Sequence, residues 1–389
     1  MDDKRFRVLF LSSWYPNRLN PTDGNFNEKF AEAAAVYNDV TAIHVVADKD
    51  TITPFETDIY TRGNVKTYIW YFRKNQWRFG LGKIINGFRY LAYYLKAYWR
   101  AKKECGKPRV LHLNVLYPAG TIAVVFKYLF GLKYVISEHW TGYLPSNEIK
   151  QPLMAVWLSK IITRNAHTIM PVTHNLKEAM IKKGFANNYT VVPNVVDVKY
   201  FYPPEPVEKR KKKNILHVSS LKDEHKNVSG LLRTIRKLSQ QRTDFHLSIV
   251  GDGDLEPHIN YAEELSLQPD TVSFHGTMST QEIAETMRNS DVFVLFSNYE
   301  NLPCVIIEAF AAGLPVISTN VGGISEHLTS DKGILITAGD EEALLDAIDK
   351  MIDNADTFDK KSMHNYAKEN FSYEKIGERF TGIYNSVTK

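Results

Sequence analysis

Two glutamates, Glu300 and Glu308, bracket what reads as the start of a helix in the second half of the chain. The apolar run 292–296 has the length and branching of a strand and leads into a polar loop ending at Glu300. After Leu302 comes Pro303, which suits the first helical position because its missing N–H would have no intrahelical partner there. The next N–H groups, those of Cys304 and Val305, point out of the helix start with no carbonyl to meet. Such an end favours an anion, phosphate above all. A carboxylate on each side of a phosphate site can hold hydroxyl-rich groups, so the arrangement fits a nucleotide sugar.

The elements that must position these groups follow an α/β pattern. Short branched apolar runs at 6–11, 40–47, 65–72, 110–113, 134–137 and 168–172 alternate with longer helical stretches, and a second series runs through 215–218, 245–250, 272–274, 292–296, 315–318 and 334–336. That alternation predicts parallel sheets wrapped by helices. Between the two series, Tyr202, Pro203, Pro204, Glu205 and Pro206 precede the charged run 208–213, and together they read as an exposed linker. Two open sheets facing each other at the carboxyl ends of their strands would make one deep cleft. With 389 residues, the chain has room for two ordinary domains. A 44% hydrophobic and 24% charged composition is that of a globular protein, and a net charge of +4 is too weak to imply nucleic acid. The two cysteines, Cys105 and Cys304, stand far apart and suggest a reducing compartment without disulfides. The first residues carry no long apolar signal region, and no apolar run reaches the roughly 18 residues that span a bilayer. The expectation is a cytoplasmic protein with at most peripheral contact at the inner membrane face.

Several further segments carry a family resemblance. Glu300 and Glu308 are followed by Gly313, Pro315, Gly322, Gly323 and Glu326; Pro193, Asn194 and Asp197 precede the linker; Gly251 and Gly253 follow a strand; and His275-Gly276 ends another. In the first half, Ser13, Trp14, Tyr15 and Pro16 are followed by Asp23, Gly24, Asn25 and Phe26, and Glu138 and His139 lead into Trp140, Thr141 and Gly142. Together these resemble a retaining glycosyltransferase of the two-Rossmann-domain type called GT-B, within family 4. The resemblance covers nearly the whole chain. It implies an acceptor-side domain at 1–203, a nucleotide-sugar-binding domain at 204–371, and a last helix, 372–389, that crosses back onto the first.

The resemblance also implies roles. Glu300 would meet donor sugar hydroxyls beside the reacting carbon, and Glu308 the nucleotide ribose. The N–H groups of Cys304 and Val305, with Lys226, would hold the growing diphosphate charge. Relatives carry an arginine where Ser220 stands, so the usual pair of cations is incomplete, with Lys222 a candidate replacement. His139 would reach the donor sugar across the cleft, Gly24 would let backbone approach the donor phosphate, and Thr277 and Met278, after Gly276, would lie near the base. His112 lines the same cleft or is structural. The Asp252/Asp254 and Asp48/Asp50 pairs spell a metal-binding pattern, but the first belongs to a turn and there is no zinc spacing, so no metal or other cofactor is expected. The expected partners are a UDP- or GDP-sugar donor and a saccharide or lipid-linked acceptor. The stretch 73–107 interleaves basic and aromatic residues, among them Arg73, Lys74, Arg78, Arg89 and Lys96. It is either a helix packed on the first sheet with a solvated basic face, or one lying on an anionic membrane. A nucleotide-sugar epimerase and a non-catalytic nucleotide-sugar-binding protein stay open as alternatives. A dinucleotide-dependent oxidoreductase is weaker, since no Gly-x-Gly-x-x-Gly follows the first strand.

Overall fold

The computed structural model describes residues 5–75, 81–205 and 211–388. The first half runs β1 (Arg7–Ser12), α1 (Asn25–Ala35), β2 (Asp39–Asp48), β3 (Phe55–Arg62), β4 (Val65–Arg73), α2 (Leu81–Cys105), β5 (Val110–Asn114), α3 (Gly120–Phe130), β6 (Tyr134–Glu138), α4 (Leu153–Asn165), β7 (Ile169–Pro171) and α5 (His174–Lys182). The second runs β8 (Lys213–Ser219), α6 (Asp223–Lys226), α7 (Val228–Ser239), β9 (Phe245–Gly251), α8 (Glu256–Glu264), β10 (Val272–His275), α9 (Thr280–Arg288), β11 (Val292–Leu295), α10 (Cys304–Ala311), β12 (Val316–Thr319), β13 (Gly333–Ile336), α11 (Glu341–Asn354), α12 (Lys360–Phe371) and α13 (Tyr373–Thr388).

Among the described residues these strands form two sheets, in the orders β3-β4-β2-β1-β5-β6-β7 and β10-β9-β8-β11-β12-β13. The central strands are buried on both faces, as their unbroken apolar runs require: β5, β6, β11 and β12 are buried throughout. All pairings are parallel except β3 with β4. The strand β3 is therefore a correction to a purely parallel reading. It forms a hairpin with β4 across Gly63 and Asn64, and its Asp58, Tyr60 and Arg62 reach the cleft.

The chain crosses back at its end. Phe371 of α12 accepts the N–H of Val196 at 2.9 Å, and α13 then packs on α1. Phe380 meets Phe30 edge-on, and Tyr373 donates to Glu32 at 3.0 Å. Gly377 is required there, since a Cβ would sit 2.4 Å from the carbonyl of Ala33. The basic linker needs a second correction. Lys213 is not solvated but opens β8 and pairs with Asp356 at 3.0 Å, while residues 206–210 lie outside the described residues. One face of α2 packs on β2 and β4 through Tyr94, Ala97, Tyr98 and Ala101; the other exposes Ile84, Phe88 and Trp99 among lysines and arginines. Arg78 lies outside the described residues. No helix among the described residues is long and apolar enough to cross a membrane.

Candidate active site

The carboxyl ends of both sheets open onto a shared cleft of about 980 Å³. Its second-half wall is built by the loop after β11. Pro303 takes the N-cap position with extended backbone, and no side chain caps α10, so the first N–H groups of the helix are left for a ligand. On one side, Glu300 is buried and accepts Lys226 Nζ at 2.5 Å and Ser297 Oγ at 2.8 Å, with His225 Nε2 at 3.6 Å. Burial alone would raise the Glu300 pKa, but Lys226 and His225 outweigh it and hold the carboxyl at about 2. On the other side, Glu308 accepts Lys29 Nζ at 2.6 Å across the cleft. Burial opposes the Lys29 charge, yet Glu308 keeps its pKa above the usual lysine value. Burial pushes the Cys304 thiol up to about 11, so it stays neutral beside the helix start.

The facing wall carries His139, directly after β6. Its segment is pinned by buried Glu138, which accepts the N–H groups of Leu116, His139 and Trp140 at 2.8–2.9 Å. The ring packs on Phe26 and Phe30, and neither ring nitrogen has a hydrogen-bond partner among the described residues. Burial lowers its pKa to about 3, against a smaller upward pull from Asn194 beside it, so the buried ring is neutral.

The second-half elements match the model described as "Glycosyl transferases group 1" over residues 199–370, and the first-half elements match "Glycosyltransferase Family 4" over 42–200. This chain is a GT-B glycosyltransferase of family 4. It is 26% identical to the N-acetyl-alpha-D-glucosaminyl L-malate synthase of Bacillus anthracis over 299 residues, 72% of this chain and 75% of that protein. Among solved structures, sucrose-phosphate synthase from Thermosynechococcus elongatus superposes with a TM-score of 0.76 at 20% identity, covering 98% of this chain and 99% of that one. Anabaena HepE in complex with UDP-glucose gives 0.71 at 16%, covering 98% and 100%. At these identities the two structures speak for the fold.

In this glycosyltransferase Ser220, Lys226, Thr277, Met278, Leu302, Pro303, Cys304 and Val305 line the cleft together with His139, Glu300 and Glu308. Gly24 and Gly276 do not, although Asn25 and Thr277 beside them do. Gly24 has φ +67°, and a Cβ there would lie 2.4 Å from the carbonyl of Trp14, so the loop before α1 already demands the glycine. Lys222 is exposed and outside the lining. His112 is structural, fully buried between Tyr384 and Ser137 with 2.7 Å hydrogen bonds to both. Asp48 is held by Arg18 at 2.8 Å, and Asp254 accepts the N–H of Glu256 in the turn before α8.

Several residues in and beside the cleft were given no role by the sequence reading. Lys29 sits one turn into α1, on the face that presents Asn25 and Phe26; projecting that helix from its cleft-facing start would have found it. Asn301 donates to the carbonyl of His139 at 3.1 Å and accepts from Thr173 at 2.8 Å, while Asn194 donates to the carbonyl of Leu302 at 2.6 Å. Glu326 accepts the His174 and Asn175 N–H groups at the start of α5, both at 2.9 Å. These contacts join the two halves.

Proposed function

We propose that this glycosyltransferase moves a sugar from a UDP- or GDP-sugar to a hydroxyl of a saccharide or lipid-linked acceptor, keeping the anomeric configuration. The observation that carries this reading is the uncapped start of α10 between buried Glu300 and Glu308, facing His139 across the cleft. The diphosphate lies at that helix start, where N–H groups and Lys226 meet its charge. The ribose hydroxyls bond Glu308, the sugar hydroxyls bond Glu300, and Thr277 and Met278 border the base. The division at 203/204, with 372–389 rejoining the first unit, belongs to the same proposal.

As the bond from the anomeric carbon to the phosphate oxygen breaks, its electron pair stays on the phosphate. The acceptor oxygen bonds the carbon on the same face, and its proton passes to the departing phosphate. Glu300, ionised and buried, offsets positive charge on the sugar, and neutral His139 serves as a hydrogen-bonding group rather than a proton carrier. The chain's contribution is positioning and charge stabilisation, with no metal required. The acceptor wall mixes Arg18, Asp58, Tyr60, Arg62 and Tyr71, the polar and aromatic composition that suits sugar hydroxyls. The exposed face of α2, where Ile84, Phe88 and Trp99 stand among basic residues, supports contact with an anionic membrane carrying a lipid-linked acceptor.

The test screens UDP- and GDP-sugars by thermal shift, then follows hydrolysis and transfer, with NMR of the product anomer. Transfer with retention supports the proposal. Donor conversion without acceptor would make the protein an epimerase, binding without turnover a nucleotide-sugar receptor, and no binding at all would refute the reading.

A further inference from the structure

A diphosphate leaving group needs more positive charge than the second half of the molecule offers. The start of α10 carries about half an elementary charge. Lys226 is already neutralised by Glu300 at 2.5 Å, and the neighbouring position on the β8 loop is the uncharged Ser220. Among the described residues, four lysines and arginines line the cleft: Arg18, Lys29, Arg62 and Lys226. Arg18 is shared between Asp48 and Glu56, at 2.8 and 2.6 Å. Arg62 is shared between Glu28 and Glu32, at 2.6 and 3.0 Å. Both are committed to carboxylates of the acceptor wall. Lys29 differs, since its ammonium contacts Glu308, on α10 itself.

We infer that Lys29, reaching over from α1, is the second cation for the donor diphosphate. This rests on the proposed donor site and adds a positioning and charge-stabilising residue to it. Cys304 and Glu308 stand four residues apart and share one face of α10. The Lys29 ammonium is thus held on the α10 face that begins at Cys304, whose backbone lies about one helical turn, roughly 5.4 Å of rise, before that of Glu308. A lysine's rotatable four-carbon stem covers that distance by changing rotamers. When ribose hydroxyls take the Glu308 carboxylate, the ammonium is released toward the phosphate. The cation then comes from the half of the molecule opposite α10, so the leaving group is fully neutralised only when both halves close on the donor. Lys29 replaces, from across the cleft, the charge missing at Ser220.

The rival explanation is that Lys29 merely pairs with Glu308 and competes with ribose for its carboxylate. The two differ in sign. Titration calorimetry and NMR would compare UDP with uridine, and GDP with guanosine, on the wild type, Lys29→Met, Lys29→Arg and Lys29→Met/Ser220→Arg. A charge-assisted bond to phosphate predicts that Lys29→Met weakens the bound diphosphate roughly 10–100-fold. The matching nucleoside should stay within about threefold, Lys29→Arg should retain most diphosphate affinity, and Ser220→Arg should restore part of what Lys29→Met loses. Unchanged diphosphate affinity in Lys29→Met, or a parallel change for nucleotide and nucleoside, would overturn the assignment while leaving the donor site standing. A wild type that binds neither UDP nor GDP would bring down the donor site itself.

Discussion

Glu300→Gln keeps the shape of the side chain and removes its charge, which makes it the sharpest probe of the cleft. Glu300 is buried against Lys226 at 2.5 Å and Ser297 at 2.8 Å. Taking one partner from a buried ion pair costs about 3–5 kcal/mol, because the other charge is left uncompensated. For a folding unit of this size, each kcal/mol moves the midpoint roughly 2–4 °C, so the variant should melt roughly 6–20 °C lower. Lys226→Met in the same background should give much of that back. Turnover should fall further than stability accounts for. Losing one preformed group that meets growing charge raises the barrier about 3–4 kcal/mol, a loss of about two to three orders of magnitude in kcat at a temperature where the variant is folded.

The pH dependence gives an independent check. The folded carboxyl titrates at about 2, below its unfolded value, so its stabilisation is complete above the unfolded glutamate range and is lost as pH falls toward 2. Wild type should therefore lose more stability than Glu300→Gln between about pH 4.5 and 2. Between pH 5 and 9 the carboxyl stays ionised, so both proteins should share the same acid limb in kcat. Initial rates with donor and acceptor, run beside denaturant titrations, measure all of this. Near-normal turnover in Glu300→Gln, or an acid limb between pH 5 and 7 that disappears in the variant, would refute the view of Glu300 as a permanent anion.

Three further outcomes follow from the same geometry. Gly323→Ala would place a methyl 2.2 Å from Thr173 Cγ2 and 2.6 Å from Thr173 Cβ, wedging the halves apart at a cost of about 1–3 kcal/mol; donor KM should rise severalfold or more, scattering should show a larger radius of gyration, and Thr173→Ser should relieve only part of each. Exhaustive treatment with EDTA should leave transfer within about twofold, because the proposed leaving-group charge is met by N–H groups and lysines; loss of activity restored by a divalent ion would refute that chemistry. Co-sedimentation with phosphatidylserine vesicles should drop several-fold in Arg73→Glu/Lys74→Glu, since each reversal near the surface removes about 1 kcal/mol or more of attraction; equal binding would remove the basic end of β4 as part of the contact.

The parts of the site that were legible in sequence are those encoded locally. Pro303 between a polar loop and an apolar helix marks the start of α10, and Glu300 and Glu308 lie within a few residues of it. The sheets were legible because central strands buried on both faces leave unbroken apolar runs. The half-exposed β3 leaves none: Phe55, Thr57 and Ile59 alternate with Glu56, Asp58 and Tyr60, a period-two pattern that a search for unbroken apolar runs passes over. Partners distant in sequence were illegible. Lys226 reads as a phosphate ligand, yet it rests on Glu300, 74 residues away; Glu308 meets Lys29, 279 residues away. Local pattern could not separate His112 from His139 either. His112 lies within β5 and His139 directly after β6, and only packing shows that His112 is locked by Tyr384 and Ser137 while the His139 ring stacks on Phe26 and Phe30 at the cleft.

Closure and donor binding draw on the same few residues. In the loop between β11 and α10, Ser297 and Glu300 hold Lys226, Asn301 crosses to Thr173 and His139, the carbonyl of Leu302 accepts Asn194, and Pro303 opens the helix. Gly322 supports that loop from behind; a Cβ there would lie 2.1 Å from the carbonyl of Glu300. Each hydrogen bond named here between the halves can be exchanged for one to water at little net cost, while buried apolar residues of both halves pack in one cluster beside them. The seam can therefore open to admit a donor, but it cannot shift without moving Glu300 and the start of α10. A ligand that fixes those two groups also fixes Asn301, and with it the position of His139 on the opposite wall. If the diphosphate binds as proposed, the reacting carbon and its acceptor come into register with it, and a cleft between two separate sheets then acts as one rigid site at the moment of transfer.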